Sequence, residues 1–519
     1  MTGRSTRKFA AGEAIVLALG AAFVVLLNLT PIPENDFWIQ LKVGDLIRQT
    51  GSIPRTILFA CTEARDFPFV AHEWLPSVAE SALYARIGYP GMIVVKCLLA
   101  LVLFALVRGL ARRGGGAPSV ATGIAALVML AINFRIQMRP ELPALILFAA
   151  TLLALDRLVA APHPATVAAV IGFGLLWANT HGSFVLAPAL PLVFLAGAVI
   201  DDWGSGAPRE GPARNTRLRS LCFALVAASV GVAAASLVNP FGPGLWIKAL
   251  DLARARYIRE NIVEFAPTFD ARLHGETYWA LSVAFFTIVV ASFLGWRRRA
   301  GATPLILFLV FGALWVDAIR FTVWFAVAGA LILGRNLAGV GSAEAAGHRS
   351  SRFRLATAVA AGLAVAVVVV AVFGNVRGRR VGFEDASPLS PGAIAALRGA
   401  DLRGNVFNSY RLGDQIVYHF WPAARVTIDS RVDAYGEEYF EHYRTLSGRS
   451  LKRMGPAADL IAFLDRYSID TIVSMPYDYR NWTLGQHADA LRRAGWVQSY
   501  ADDSAVILRR ERPAVAGGE

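Results

Sequence analysis

Long apolar runs separated by short polar segments dominate the chain as far as Phe373. A helix needs about 20 mostly apolar residues to cross the hydrocarbon core of a bilayer, and about eleven runs approach that length. The pattern predicts a polytopic α-helical membrane protein. The predicted spans lie near residues 11–30, 90–107, 118–134, 141–159, 164–180, 183–200, 219–238, 277–295, 303–319, 321–337 and 355–374.

Beyond Phe373 the pattern changes to mixed polar and apolar sequence. Short β-type runs alternate there with segments of helical periodicity, which predicts a soluble α/β domain at the C-terminal end. The strands are expected at 424–428, 470–475 and 504–508, and the helices at 436–447, 456–467 and 484–494. We therefore predict a transmembrane domain over residues 1–374 and a second domain over 375–519.

Basic residues flank every other apolar run, beginning with the N-terminal MTGRSTRK. Short cytoplasmic segments of membrane proteins are enriched in Lys and Arg, so this alternation predicts a cytoplasmic N-terminus and a C-terminus outside. Residues 31–89 then form a large periplasmic loop after the first span. That span is not expected to be a cleaved signal peptide, because no small-residue cleavage site follows it.

Composition agrees with a membrane protein and excludes other classes. Of 519 residues, 55% are hydrophobic and only 17% are charged, which is too apolar for a soluble protein of this size. The formal net charge of +13 comes mostly from basic clusters beside the apolar runs, so no nucleic-acid partner is indicated. Three cysteines do not predict a disulfide framework.

The predicted topology collects acids and cations on the outer side, whereas no comparable cluster is expected on the cytoplasmic side. Ionisable residues are costly beside lipid and commonly serve a function. The first loop contributes Glu34, Asp36, His72 and Glu73, and the outer ends of later spans contribute Arg139, Glu141, His181 and Arg320.

Several stretches resemble one known family. The first loop contains ENDFWIQLKVGDLIRQTGSIPRT and FVAHEWL, and later segments read NTHGSF, VNPFG, RFTVWFA and VFNSYRLGDQIV followed by VTIDSRVDAYG. Together they resemble a bacterial branch of the type C glycosyltransferases. These are polytopic enzymes that transfer a sugar from a polyprenyl-phosphate carrier to an acceptor outside the cytoplasm.

The resemblance implies an inverting, lipid-phosphate-sugar-dependent glycosyltransferase in the cell inner membrane, with its C-terminal domain in the periplasm. Its partners would be a polyprenyl-phosphate-linked sugar, membrane lipid, and a glycan, lipid or protein acceptor. The alternative is a non-catalytic transporter or envelope-polysaccharide assembly factor with the same fold. Acids at the outer ends of spans, rather than near the midplane, favour the enzyme.

Such a transfer requires a base for the acceptor proton, and Asp36 is the first candidate, with Glu34 and Glu73 as further carboxylates. The alternative for Asp36 is the N-cap of an amphipathic helix, FWIQLKVGDLI, lying in the membrane interface. His72 with Glu73 would position the acceptor, hold a divalent cation or anchor the loop. The sequence leaves the metal requirement open.

Arg139 and Arg320 are candidates for binding the carrier phosphate, since guanidinium groups bind phosphates bidentately. Snorkelling to lipid headgroups is the alternative. Glu141 and His181 complete the predicted substrate-binding set, although His181 also fits a simple turn residue. Residues 240–276 include an amphipathic helix expected on the outer membrane surface. Asp429, Arg431 and Asp433 fit either an active-site face or a structural ion-pair turn.

Overall fold

The computed structural model describes residues 2–205, 212–295, 301–337, 381–448, 455–481 and 486–511. The chain forms two compact units: a membrane unit of residues 1–31 and 89–383, and a sheet unit of residues 32–88 and 384–519. The first loop therefore belongs with the C-terminal part of the chain. The predicted domain boundary at 374–375 and the predicted span 355–374 lie outside the described residues.

The membrane unit is built from helices. In chain order they are α1 (Thr2–Asn28), the second part of α3 (Trp74–Arg112), α4 (Pro118–Ala131), α5 (Glu141–Ala160), α6 (Pro164–Ala178), α7 (Ala189–Gly204), α8 (Pro212–Ala235), α9 (Gly244–Arg254), α10 (Arg256–Asn261), α11 (Thr277–Ser292), α12 (Thr303–Asp317) and α13 (Thr322–Asn336). Gly88, with φ of 62°, interrupts α3 at the boundary between the two units. A positive φ is readily adopted by glycine.

Each of the ten predicted spans in the described part of the chain coincides with one of these helices, which confirms a polytopic helical fold. Within the described residues, four helical stretches are long and apolar enough to cross a membrane: Trp74–Arg112, Glu141–Ala160, Gly182–Gly204 and Asn215–Ala235. Five further apolar helices are shorter. The number of crossings stays a prediction.

Helix α13 occupies the interior of the membrane unit, because nearly all its side chains are buried. It packs against α4, α5, α11 and α12. Its Trp324 is 1% exposed and stacks on Trp177 of α6, with ring centroids 5.6 Å apart. Trp324 is thus a core residue, not one of the aromatic side chains that commonly lie at membrane interfaces.

Lys96 and Asp156 are buried charged residues of the membrane unit that were not anticipated. The ammonium of Lys96 is fully buried and donates hydrogen bonds to the carbonyl and hydroxyl of Thr30 and the carbonyl of Pro31, at 2.8, 3.1 and 3.3 Å. Asp156, 4% exposed, forms ion pairs with Arg113 and Arg335. Asp156 and its partners lie at helix ends predicted to be cytoplasmic, so the expectation of no cluster there was wrong.

The sheet unit contains a five-stranded mixed sheet. Its strands are β1 (Gly404–Asn408), β2 (Ala424–Val426), β3 (Ile469–Ser474), β4 (Trp496–Ala501) and β5 (Val506–Arg510), in the order β2-β1-β3-β5-β4. Strand β1 pairs in parallel with β2 and β3, and β5 pairs antiparallel with β3 and β4. The three predicted strands are confirmed within two residues, and β1 and β4 were missed.

Helices cover this sheet. They are α14 (Pro391–Gly399), α15 (Gly413–Phe420), α16 (Val432–Tyr435), α17 (Glu437–Ser447), α18 (Ala457–Arg466), α19 (Pro476–Asn481) and α20 (Ala488–Arg493). The expected helices at 436–447, 456–467 and 484–494 correspond to α17, α18 and α20. The predicted C-terminal α/β fold is therefore confirmed.

The first loop extends the sheet at the β2 edge. The amide of Val426 donates to the carbonyl of Phe59 (3.0 Å), and the amide of Cys61 donates to the carbonyl of Val426 (2.8 Å). Helix α2 (Asp36–Thr50) of the first loop also packs within the sheet unit. Its Ile39, Val43 and Leu46 belong to the hydrophobic core of that unit. The expectation that this amphipathic helix lies in the membrane interface was wrong. Its apolar face packs against protein.

Candidate functional site

Asp36 is the first residue of α2 and is half-buried. The N-cap position belongs to Asn35, whose side chain makes no capping hydrogen bond. The capping interpretation of Asp36 was therefore wrong. A carboxylate in the first helical turn is still favoured by the helix dipole, a contribution of roughly 0.3–1 kcal/mol at an exposed position.

A second acid, Asp414 of α15, lies beside Asp36. It is fully buried, accepts a hydrogen bond from the Ser430 amide (2.8 Å), and its Oδ2 atom lies 3.3 Å from Nδ2 of Asn35. Burial, together with the negative charges of Asp429 and Asp36, raises the pKa of Asp414 well above its usual range. Sequence analysis missed Asp414, although it lies within the GDQIV stretch.

The other predicted acids of the first loop also lie in the sheet unit. Glu34 is half-buried in the segment leading to α2. Glu73 lies 3.6 Å from Nε2 of His72 and accepts a hydrogen bond from Gln40 of α2. The carbonyl of Val70 lies 3.2 Å from Nδ1 of His72. These contacts anchor the loop to α2. Catalytic functions of Glu34 and Glu73, and acceptor binding by His72, stay predictions.

Asp429 and Arg431 form a buried bidentate ion pair, with N to O distances of 2.9 and 2.6 Å. Tyr435 also donates a hydrogen bond to Asp429 (3.0 Å). The Arg431 guanidinium also lies 4.8 Å from the ring centroid of Phe59 and 4.7 Å from that of Phe69, both in the first loop. The structural ion-pair turn is therefore the better description of this motif.

The membrane unit brings Arg139, Glu141 and Arg320 together with two residues that the sequence analysis missed, Arg135 and Glu264. We call these five the arginine cluster. Arg135 donates to Glu141 at 2.7 Å and is also bonded to Glu264. Nη1 of Arg139 and Nη1 of Arg320 lie 3.6 and 4.0 Å from the Glu264 carboxylate.

Arg139 and Arg320 are 18% and 17% exposed, so ion pairing, and not snorkelling, describes both side chains. Arg320 also lies over the ring of Phe265, 4.0 Å from its centroid. Three guanidinium groups face two carboxylates, which leaves one net positive charge. Such a cluster favours an anion that accepts several hydrogen bonds.

Backbone hydrogen bonds hold the Glu264 segment beside Arg320. The Ile319 amide donates to the carbonyl of Ala266 (3.0 Å), and the Thr268 amide donates to the carbonyl of Val316 (3.2 Å). Burial alone would raise the pKa of the Glu264 carboxyl, but Arg135, Arg320 and Arg139 outweigh it and hold that pKa well below its usual range. Glu264 is therefore ionised at neutral pH.

A signal for Arg135 was present in the sequence. From 133 to 141 every second residue is polar: Asn133, Arg135, Gln137, Arg139 and Glu141. All five are largely buried in the structure. Glu264 offered no such signal, because it lies in the 240–276 loop, which was predicted to contain an amphipathic surface helix. The helix is present as α9 and α10, and Glu264 follows it.

His181 caps a short helical turn, since its Nδ1 atom accepts a hydrogen bond from the Ser183 amide (3.2 Å). The turn-residue interpretation fits these contacts. Within the described part of the chain, no group of three or more His, Cys, Asp or Glu side chains has the arrangement of a metal site.

Comparisons with known proteins identify the fold. No protein-family model matches the chain, and no curated protein matches it by sequence. Solved structures do match. An oligosaccharyltransferase from Archaeoglobus fulgidus, tethered to an acceptor peptide, aligns at a TM-score of 0.59 and 12% identity over 97% of this chain and 75% of its own.

Two further membrane enzymes are similar. ArnT from Cupriavidus metallidurans aligns at a TM-score of 0.54 and 14% identity over 96% of this chain and 98% of its own. The mycobacterial arabinofuranosyltransferase AftD aligns at a TM-score of 0.51 and 14% identity over 96% of this chain and 42% of its own. The chain has the type C glycosyltransferase fold. Because one fold can serve several functions, this shared fold alone does not assign an activity to the chain.

Proposed function

We propose that the protein is a glycosyltransferase that moves a sugar from a polyprenyl-phosphate carrier to an acceptor at the periplasmic face of the inner membrane. The observation that carries the proposal is the arginine cluster. A membrane protein with the fold of three glycosyltransferases holds three converging guanidinium groups, and a leaving phosphate requires such positive charge.

The proposed reaction is a single displacement. The acceptor hydroxyl oxygen bonds to the anomeric carbon while the bond from that carbon to the phosphate oxygen breaks. The electron pair leaves with the polyprenyl phosphate. Arg139, Arg320 and Arg135 stabilise the negative charge of this leaving phosphate. The proton of the hydroxyl goes to the carboxylate of Asp36 as general base.

Exposed apolar side chains on the chain segment that carries Glu264 suit a lipid donor. Ile247 and Leu250 of α9, together with Val263 and Phe269, are 60%, 49%, 43% and 56% exposed. They flank Glu264 along the chain, on the segment predicted to lie at the outer membrane surface. A polyprenyl chain is the kind of ligand that such a surface favours.

The proposal is tested by incubating purified protein with a panel of radiolabelled polyprenyl-phosphate sugars and envelope-derived acceptors. We expect transfer from at least one donor, with release of polyprenyl phosphate. No transfer or donor cleavage with any member of the panel, from protein that binds these lipids, would favour the non-catalytic alternative.

A further inference from the structure

The carboxylate of Glu264 lies among the cationic groups that the proposed function assigns to the donor phosphate. Glu264 contacts all three arginines of the cluster, and Glu141 forms an ion pair with Arg135. Carboxylate and phosphate oxygens are alternative partners for the same guanidinium donors. A phosphate that binds Arg139 and Arg320 therefore competes with Glu264.

Exposure within the cluster differs from one member to another. Glu141 and Arg135 are 2% and 8% exposed, whereas Glu264 is 31% exposed. Nε of Arg135 lies 2.7 Å from Oε2 of Glu141, which is the distance of a strong charge-assisted hydrogen bond. The buried Glu141 holds Arg135 in place, and Glu264 is the more exposed of the two carboxylates.

The contacts of Glu264 with Arg139 and Arg320 are loose. At 3.6 and 4.0 Å they exceed the distance of a hydrogen-bonded ion pair, so little hydrogen-bond energy opposes their exchange for phosphate. Asn133, Gln137 and Glu141 carry buried polar atoms with no hydrogen-bond partner among the described residues. Since buried polar groups are nearly always satisfied, this segment favours a polar ligand.

We propose that Glu264 is a built-in occupant of the anion site formed by Arg135, Arg139 and Arg320, and that the phosphate of a polyprenyl-phosphate donor displaces it. The inference rests on the proposed function for the identity of the donor. Between turnovers Glu264 keeps the three guanidinium groups together. It also weakens the binding of small anions, because they have no lipid chain whose binding energy would offset the cost of displacing Glu264. Glu264 is thus a determinant of specificity for lipid-linked phosphates.

The test compares Glu264→Gln with wild type in nanodiscs, titrated with a polyprenyl phosphate and, separately, with the polyprenol that lacks the phosphate. Loss of one competing charged hydrogen-bond partner should tighten polyprenyl-phosphate binding about tenfold. Polyprenol binding should not change. Glu260→Gln is the matched control, because Glu260 is 55% exposed and pairs with Arg256 outside the cluster.

Equal or weaker phosphate-lipid binding by folded Glu264→Gln would overturn the proposal and make Glu264 a structural anchor of the arginines. If Glu264→Gln fails to fold, Glu264→Asp keeps the charge on a shorter side chain. Its carboxylate reaches Arg139 and Arg320 less well, so it should bind polyprenyl phosphate more tightly than wild type. Unchanged or weaker binding by this variant would also overturn the proposal.

Failure of the proposed function gives a different result. If wild type binds polyprenol as well as it binds polyprenyl phosphate, the donor assignment fails, and inorganic phosphate becomes the probe. Thermal stabilisation of Glu264→Gln, but not of wild type, by millimolar phosphate would then keep Glu264 as occupant of an anion site. Absence of stabilisation in both proteins would overturn both proposals.

Discussion

Oδ2 of Asp414 lies 3.3 Å from Nδ2 of Asn35, although 379 positions separate the two residues in the chain. This contact brings a buried acid of α15 to the start of α2, next to the proposed base. Asp36 is thus set in a carboxylate-rich part of the sheet unit, with Asp414 and Asp429 nearby. The first loop and the C-terminal part of the chain build this environment together.

Asp414 should make the stability of the sheet unit depend on pH. Its pKa in the folded protein is raised by burial, Asp429 and Asp36, so the folded state holds its proton more tightly than the unfolded state. Stability should therefore fall as the pH rises above about 4, the unfolded value for Asp. Asp414→Asn should reduce the loss in apparent unfolding temperature between pH 5 and pH 7.

The amide of Asn can still accept the hydrogen bond from Ser430, so this variant should fold. Asp401→Asn, a change at a 75% exposed carboxylate, is the control and should leave the pH dependence as in wild type. An Asp414→Asn protein with the full wild-type pH dependence would show that Asp414 is not the group responsible.

Arg431 should hold the first loop to the C-terminal part of the sheet unit, because it bonds to Asp429 and lies against Phe59 and Phe69. Removing one partner of a buried ion pair typically costs about 3–5 kcal/mol. We expect Arg431→Ala to speed proteolysis of residues 51–70 markedly, measured on the full chain. Arg403→Ala, at a 74% exposed pair, should have no effect, and equal rates for the two variants would contradict this account.

The arginines of the cluster should matter for donor binding more than for folding. A charged hydrogen bond contributes roughly 1.5–3 kcal/mol, so Arg139→Ala or Arg320→Ala should weaken polyprenyl-phosphate binding by about tenfold or more. Arg259→Ala is the control, because Arg259 pairs with the exposed Asp317. Unchanged donor affinity in both cluster variants, measured on well-folded protein, would remove these residues from the proposed site.

Orientation in the membrane can be tested independently. The alternation of basic clusters predicts a cytoplasmic N-terminus and a periplasmic C-terminus. Alkaline phosphatase fused to the C-terminus should be active in cells, and a reporter that works only in the cytoplasm should be silent there. The opposite pattern would contradict the predicted topology.

Much of the fold followed from local sequence. Apolar runs predicted the positions of ten helices of the membrane unit, although some helix ends differ by six to nine residues. Lipid and protein interior both select apolar side chains over whole helices. The C-terminal strands were predicted where β-branched residues cluster, as in ARVTI and DTIVSM. Strand β4, WVQSYA, carries a weaker pattern because several of its side chains are exposed.

Long-range pairing was not visible in the sequence. Phe59 and Cys61 pair with Val426 only through the tertiary fold, so nothing local assigned the first loop to the sheet unit. Charge pairing was hidden for the same reason. Arg139 and Arg320 were predicted as separate ends of spans, whereas Glu264, from a third segment, is the residue that joins them.

Asp36→Asn shows whether Asp36 accepts the proton of the acceptor hydroxyl. The substitution keeps the size and shape of the side chain and gives up a helix-dipole contribution of roughly 0.3–1 kcal/mol, so folding and donor binding should be kept. An amide cannot act as the base, and general-base catalysis commonly contributes about a hundred- to ten-thousand-fold in rate. Asp45→Asn, the same change on the same helix, is the control, since an Asn can still accept the hydrogen bond from Ser81.

The decisive measurement is the rate of sugar transfer by Asp36→Asn at saturating donor, beside wild type and Asp45→Asn. We expect the rate to fall about a hundredfold or more for Asp36→Asn and to stay near the wild-type rate for Asp45→Asn. Transfer by Asp36→Asn at near the wild-type rate would contradict this expectation, and the base would then have to be Glu34 or Glu73.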